Sequence, residues 1–361
     1  MVHKTSMVLA DQRELIYFDD TAGQVRVLQD SRHLPERASG SELRHDPLLD
    51  EWIAIASHRQ SRTFLPPTDQ CPLCPSTPEN PSEIPGPYDV AVFENRFPSL
   101  SMTAPPPQPQ DWDEPLFERR AGLGRCEVVV FTSDHDKTFS QVSPQRARTI
   151  IEAWVDRTSA LREMSPIREV YCFENRGEAI GVTLSHPHGQ IYGYPYITPR
   201  TRKILDAADR YHTRTGRRLQ DDIVDAEVAA KVRIVDESEH WLAFVPAAAR
   251  WPIELHLYSK RPVGDLPSLD DDERADLADF YLRQLKRVEG LYEVEVPYIS
   301  GWRQAPVGEE FSQLRLHLQL FSTRRAANKL KFLAGSESGS DAFIADVTAE
   351  AIAASLRASV R

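Results

Sequence analysis

Two cysteines separated by two residues, Cys71-Pro-Leu-Cys74, are the first residues in this chain whose spacing suggests chemistry. The spacing lets both thiolates face one tetrahedral zinc ion, and the surrounding prolines supply a tight turn. Two more ligands are needed to close a structural site. His135, in the stretch FTSDHDK at a predicted strand end, and His186 are the best placed to provide them. The plain alternative is a pair of reduced loop thiols near a turn histidine. The second concentration of chemistry is His186-Pro-His188-Gly-Gln190. Residues two apart in an extended segment share a face, so His186, His188 and Gln190 project together. Two imidazoles and an amide on one face, with Gly177, Gly181 and Gly189 permitting close backbone approach, suit a site that grips a phosphate. Taken alone, His-x-His is as much at home on an ordinary strand as at a metal edge.

The elements that must position these residues can be read from periodicity. Residues 143–163 form a predicted helix with Ser143 as N-cap and Pro144 at the first helical position, and Ile150, Ile151, Trp154, Val155 and Leu161 fall on one face. A second helix is predicted at about 270–290, where Leu277, Phe280, Leu285 and Val288 recur at helical spacing. Runs of β-branched and aromatic residues predict strands at 52–56, 91–93, 126–131, 170–173, 241–245 and 314–321. Proline clusters at 66–87 and 104–109 mark loops. Laid side by side, these elements repeat. AVFEN, EVVVFTSDH, a helix, YCFENRG and SHPHGQIYG are followed by LAFVP, IELHLYSKR, a helix, VPYISGW and RLHLQLFS. Phe131 precedes His188 by 57 residues and Tyr258 precedes His317 by 59. Equal order at nearly equal spacing predicts a duplicated strand–helix–strand unit in an α+β architecture, with a mainly antiparallel sheet flanked by helices.

Composition bounds the function. The 361 residues carry 43 Lys+Arg against 54 Asp+Glu, a net charge of −11, and are 41% hydrophobic. Such a chain buries a core, and its acidity argues against a nucleic-acid partner, since affinity for a phosphate backbone comes from surplus cations. An anionic ligand therefore needs a dedicated local site. Four cysteines are too few for a disulfide scaffold, no stretch has the length of a membrane span, and the first twenty residues lack a signal sequence's apolar core. These features predict a soluble, cytoplasmic protein without a membrane partner.

Together these residues resemble the galactose-1-phosphate uridylyltransferase family, a branch of the histidine-triad superfamily. The resemblance rests on HPHGQ at 186–190, FENRG at 173–177, CPLC at 71–74, FTSDHDKT at 131–138, HRQSR at 58–62, VFENRFPSL at 92–100, and KF with GSE within 331–337. It spans about residues 40–340. It implies histidine-triad-like halves at 41–200 and 201–345, between an N-terminal extension at 1–40 and a tail at 346–361. It further implies a two-step exchange in galactose metabolism (the Leloir pathway). His188 would attack the α-phosphorus of UDP-glucose, release glucose 1-phosphate and pass the uridylyl group to galactose 1-phosphate. Gln190 stands where hydrolytic members of the superfamily carry a histidine, and in this family that amide goes with transfer. Arg59 and Arg62 match phosphate-binding arginines. Asn95, Asn175, Gly181 and Thr183 match nucleotide and phosphate contacts, and Leu73, with Phe93 and Phe97, would flank the base. Cys71, Cys74, His135 and His186 would hold one structural Zn2+ per chain. Lys331 and Glu337 match positions supplied across a homodimer interface to the hexose 1-phosphate.

The chain also departs from the pattern. Where some members build a second metal site, this sequence has Arg303 in GWRQAP, Gln319 in HLQ and no glutamate within 200–206. That metal is expected to be absent, with His317 left as a buried or hydrogen-bonded strand residue. Ser336 replaces a common tyrosine and SGSDAFIAD at 338–346 lacks the family's usual glutamine, so the resemblance implies nucleotidyl transfer more firmly than recognition of galactose. The alternative within the same chemistry is a related sugar-nucleotide nucleotidyltransferase or phosphorylase with a different acceptor, for example one that transfers an adenylyl group from an ADP-sugar. A non-catalytic zinc-containing nucleotide-binding module is the alternative from a different class.

Overall fold

The computed structural model describes residues 2–24, 26, 28–34, 40–61, 65–111, 114–308 and 313–359. Its strands are β1 (His3–Val8), β2 (Glu14–Asp19), β3 (Glu42–Asp46), β4 (Glu51–Ile55), β5 (Val90–Glu94), β6 (Arg119–Ala121), β7 (Arg125–Val130) and β8 (Glu169–Arg176). They continue with β9 (His188–Tyr194), β10 (Ile234–Glu237), β11 (Trp241–Phe244), β12 (Ile253–Ser259), β13 (Tyr298–Arg303), β14 (His317–Ser322), β15 (Arg324–Ala326) and β16 (Lys329–Leu330). The helices are α1 (Pro144–Arg162), α2 (Pro199–Thr215), α3 (Leu219–Ala230), α4 (Asp271–Glu289), α5 (Gly335–Ser340) and α6 (Ala349–Ala358).

Eleven strands make one sheet in the order β1-β2-β5-β7-β9-β8-β13-β14-β12-β11-β10, while β4-β3-β6 form a small separate sheet. The duplication is written into this order. β8 and β13 pair antiparallel at the middle; β9, β7 and β5 follow outward on one side, and β14, β12 and β11 on the other. Strands that correspond in sequence thus occupy corresponding places, in an α+β fold with an antiparallel sheet.

Both long helices lie where the sequence places them. The Ser143 side chain accepts from Arg146 N at 3.1 Å to start α1. Asp270 and Glu273 form a reciprocal capping box at the start of α4, each bond 2.9 Å long. The two helices pack on each other and cover one face of the sheet. Beneath them Phe139 stacks on Trp154 at 5.9 Å, and Trp154 meets Tyr281 and Trp302 edge-on at 6.3 Å. This aromatic core crosses from one half to the other, so the halves share one interior.

β1 and β2, within the segment read as an N-terminal extension, belong to the large sheet, and β2 pairs with β5. In the tail, α6 packs on β10 and α4. The strand expected from Leu314 starts later, at His317. No helix among the described residues is long and apolar enough to cross a membrane.

The seam between the halves sets a first test. A Cβ built on Gly301 would overlap the hydroxyl end of the Tyr171 ring, which reaches across from β8. Gly301→Ala is expected to lower stability by about 1–3 kcal/mol through overpacking, read as a lower denaturant midpoint at unchanged slope.

Candidate active site and metal centre

The site lies on the face of the sheet opposite α1 and α4, built from the loops before and after the central strands. Cys71 and Cys74 come from the proline-rich turn, His135 from the loop after β7, and His186 from the approach to β9. Their ligand atoms all lie within 4.8 Å of one another. Cys74 Sγ is 3.4 Å from His135 Nδ1 and 3.5 Å from His186 Nδ1, and Cys71 Sγ is 3.7 Å from His186 Nδ1. The two Nδ1 atoms are 3.3 Å apart. Tetrahedral zinc with ordinary Zn–S and Zn–N bonds requires S···N separations of about 3.6 Å and an N···N separation of about 3.3 Å. The donor set therefore fits zinc in both chemistry and spacing.

Elements outside the cluster orient its ligands. His186 Nε2 lies 2.8 Å from the Thr132 carbonyl oxygen and 3.1 Å from the Tyr88 hydroxyl, which turns Nδ1 toward the thiols. Burial lowers the His186 pKa to about 4, and burial followed by the neighbouring Cys71 pushes the Cys74 thiol up to about 12. Cys126 and Cys172 are the other two thiols, and both are fully buried in strands.

Two residues further on, His188 Nδ1 lies 2.8 Å from the His186 carbonyl oxygen. A carbonyl only accepts, so Nδ1 carries the proton and Nε2 keeps its lone pair. Burial holds the His188 pKa below the ordinary value, which favours the neutral ring. Opposite His188 on β7 is Val130, and Gln190 faces Val128. Gly189, between them, passes so close to neighbouring chain that a Cβ there would lie 2.7 Å from the Phe131 ring and 2.9 Å from the Phe173 carbonyl oxygen.

Two cavities meet at His188. The larger, about 630 Å³, is walled by Arg59, Leu73, Asn95, Thr183, Gln190 and the rings of Phe93 and Phe97. The smaller, about 220 Å³, is walled by Asn175, Gly177, Leu184 and Ser185. His188 lines both. The side-chain Oδ1 of Asn95 accepts from Phe97 N at 2.9 Å, which leaves Nδ2 for a ligand. Gly181 sits in a left-handed turn with φ +82, and space is open where a Cβ would be. Arg62 lies outside the described residues.

Lys331 and Glu337 line neither cavity. They pair with each other at 2.9 Å, both largely buried. In the second half, buried His317 lies 2.9 Å from the Arg315 carbonyl oxygen through Nδ1 and takes a contact from Gln220 at 3.2 Å. Arg303 Nε donates to Gln319 Oε1 at 3.3 Å.

Sequence reading passed over several contributors. Arg32, His33 and Leu34, from the N-terminal extension, wall the larger cavity, as does Arg96. Tyr192 touches Gln190, and its place two residues along the same strand was the available signal. For Tyr88, held in a loop far from His186 in sequence, there was no such signal.

One buried acid on the helix side of β8 allows a pH test. Glu174 accepts from the Tyr298 hydroxyl at 3.1 Å, and burial raises its pKa to about 8. The folded chain then keeps a proton that the unfolded chain releases above its ordinary value of 4.5. Stability contributed by that proton is complete below pH 4.5 and falls as pH rises toward 8. Glu174→Gln is expected to flatten this fall, gaining roughly a few kcal/mol over wild type at pH 8.5 and little at pH 5 in matched denaturant titrations.

Comparison with known proteins gives concordant matches. A family model for the N-terminal domain of galactose-1-phosphate uridyl transferase matches residues 31–198, and one for its C-terminal domain matches residues 204–360. The galactose-1-phosphate uridylyltransferase of Streptomyces lividans is 46% identical over 310 residues, 85% of this chain and 82% of that protein. The protein of the same name from Thermotoga maritima is 35% identical over 88% of this chain and 98% of its own length. A solved uridylyltransferase structure superposes with a TM-score of 0.78 at 33% identity, over 88% of this chain and 98% of the other.

Proposed function

The chain belongs to the galactose-1-phosphate uridylyltransferase family, and from that premise we propose that it transfers a uridylyl group from UDP-glucose to galactose 1-phosphate through His188. The observation that carries the proposal is a neutral imidazole with its lone pair on Nε2, standing in the wall between two cavities. Nε2 forms a bond to the α-phosphorus of UDP-glucose, and the bond from that phosphorus to the bridging oxygen breaks, releasing glucose 1-phosphate. The proton stays on Nδ1, held by the His186 carbonyl. An oxygen of galactose 1-phosphate then attacks the same phosphorus, and the P–N bond returns its electrons to Nε2.

Neither half needs a strong acid: the first expels a phosphate, whose second pKa is about 6, and the second expels the His188 imidazole, which leaves neutral because Nδ1 already carries a proton. That is why an amide suffices at Gln190. Its N–H group steadies the phosphoryl oxygens without protonating a leaving group or activating water. Arg59 supplies a guanidinium charge to the diphosphate, as does Arg62; Asn95, Asn175, Thr183 and Gly181 supply polar groups and backbone approach, and Leu73 closes the base side. Cys71, Cys74, His135 and His186 would hold one Zn2+ per chain, and the bound ion would fix His186, whose carbonyl orients the nucleophile.

The nucleophile belongs to residues 41–200, and residues 201–345 form the related half without one. Lys331 and Glu337, paired beside Phe332, which is 78% exposed, and exposed Leu333 and Ile344, favour a homodimer in which this segment reaches the hexose 1-phosphate at the partner's site.

The test is a donor and acceptor comparison. Incubated with UDP-glucose alone, the protein should release one glucose 1-phosphate per chain, and galactose 1-phosphate should then discharge it as UDP-galactose. Release from ADP-glucose but not UDP-glucose would replace the donor assignment; release from neither would remove the catalytic reading.

A further inference from the structure

We propose that Tyr192 is a positioning residue that holds the Gln190 amide with its nitrogen turned toward the reacting phosphoryl group. The proposal rests on the reading that Gln190 donates to that group, and it concerns how the amide is oriented. An amide has two ends of similar shape. With Oε1 outward it would set a lone pair against phosphoryl oxygens, and with Nε2 outward it donates to them. Gln190 alone does not choose between these, because rotation about its last torsion interconverts them.

The hydrogen bonds around it make the choice. Arg59 carries only donors, and its Nη1 lies 3.4 Å from the Tyr192 hydroxyl and in contact with Ser99 Oγ. Toward Arg59 the Tyr192 oxygen must therefore accept, and Ser99, whose own oxygen is taken by Arg59, donates to it on the same side. The single phenol proton is left to point the other way, where Gln190 Oε1 receives it at 3.2 Å. A chain of donors running from Arg59 through Tyr192 to Gln190 Oε1 has one direction, and it ends with Nε2 free to donate into the cavity that Arg59, Gln190 and His188 line. The Tyr192 ring cannot swing away: it meets Phe173 edge-on at 5.2 Å and leans on Tyr194 at 5.8 Å. Burial keeps the phenol protonated and therefore able to donate. Arg59 accordingly acts at two points, through its charge and through the polarity of this relay.

The experiment is a double-mutant cycle on the first half-reaction, read as the single-turnover rate of glucose 1-phosphate release from UDP-glucose. Tyr192→Phe keeps the ring and removes the proton. It is expected to slow the half-reaction about tenfold, with the concentration for half-maximal rate changed less than about threefold. Gln190→Ala should be slower than that, and adding Tyr192→Phe to it should cause no further loss. An equal loss in both backgrounds, or a Tyr192→Phe rate equal to wild type, would overturn the positioning role while leaving Gln190 in place. A Gln190→Ala rate equal to wild type would instead overturn the reading of Gln190 itself, and with it this inference. Unchanged melting temperature in Tyr192→Phe separates the effect from damage to the fold.

Discussion

His188→Asn is expected to lower nucleotidyl transfer by at least about four orders of magnitude while the chain still folds and binds its donor. The size follows from what is removed. The reaction as proposed has one nucleophile, and no neighbouring group replaces it: Gln190 is an amide and His186 turns Nδ1 into the cysteine cluster. The mildness for the fold follows from what His188 does not do. Its Nδ1 contacts one backbone carbonyl, and its ring lines two cavities rather than the helix-side core. The variant should melt within a few degrees of wild type, retain zinc, and bind UDP-glucose by calorimetry without releasing glucose 1-phosphate. Residual turnover above one part in a thousand would point to direct transfer between the two sugar phosphates.

The second large effect is that of the metal. Cys71→Ser removes one thiolate from a buried cluster whose spacings match tetrahedral zinc. Structural zinc contributes roughly 10 kcal/mol or more in small domains, comparable with the whole stability of an ordinary one. Cys71→Ser is therefore expected to carry less than one zinc per chain and to melt roughly 10 °C or more below wild type. Activity should fall with it, because His186 belongs to both structures: its Nδ1 faces the thiols and its carbonyl orients His188. His186→Asn should lower zinc content and turnover together. Full zinc occupancy in that variant, measured by metal analysis, would separate the cluster from the active site.

Much of this site was legible in the sequence because its residues follow strand alternation and short ligand spacing. His188 and Gln190 do share a face of β9 and line one cavity. Cys71 and Cys74 converge on His135 and His186, as the two-residue spacing asked. α1 announced itself through Ser143 and Pro144 at its start, and α4 through Leu277, Phe280, Leu285 and Val288 at helical spacing. The repeat carried furthest, because matching element order translates directly into matching positions on either side of the β8–β13 pair.

What was not legible depends on contacts between distant parts of the chain. β2 is buried on both faces and lacks the alternation that marks a half-exposed strand, so its place beside β5 was hidden. α2 buries only Thr201, Leu205 and Ala208, a short stripe at helical spacing among many charges; that spacing and Pro199 at the first helical position were its signals. The larger cavity is lined by Arg32 and Arg96 as well as Arg59, and the first two are tied to Glu83, pairings that no local motif displays. Lys331 and Glu337 satisfy each other within one chain, a pairing that spacing alone does not show.

The covalent step is the centre of the account, and peptide mapping tests it most directly. The protein should be incubated with UDP-glucose in the absence of acceptor, digested under mildly alkaline conditions and mapped by mass. The account predicts one uridylyl group, on the peptide containing His188, lost in acid and discharged by galactose 1-phosphate. Sustained exchange between UDP-glucose and galactose 1-phosphate with no adduct on any peptide, or an adduct on a residue other than His188, would contradict it.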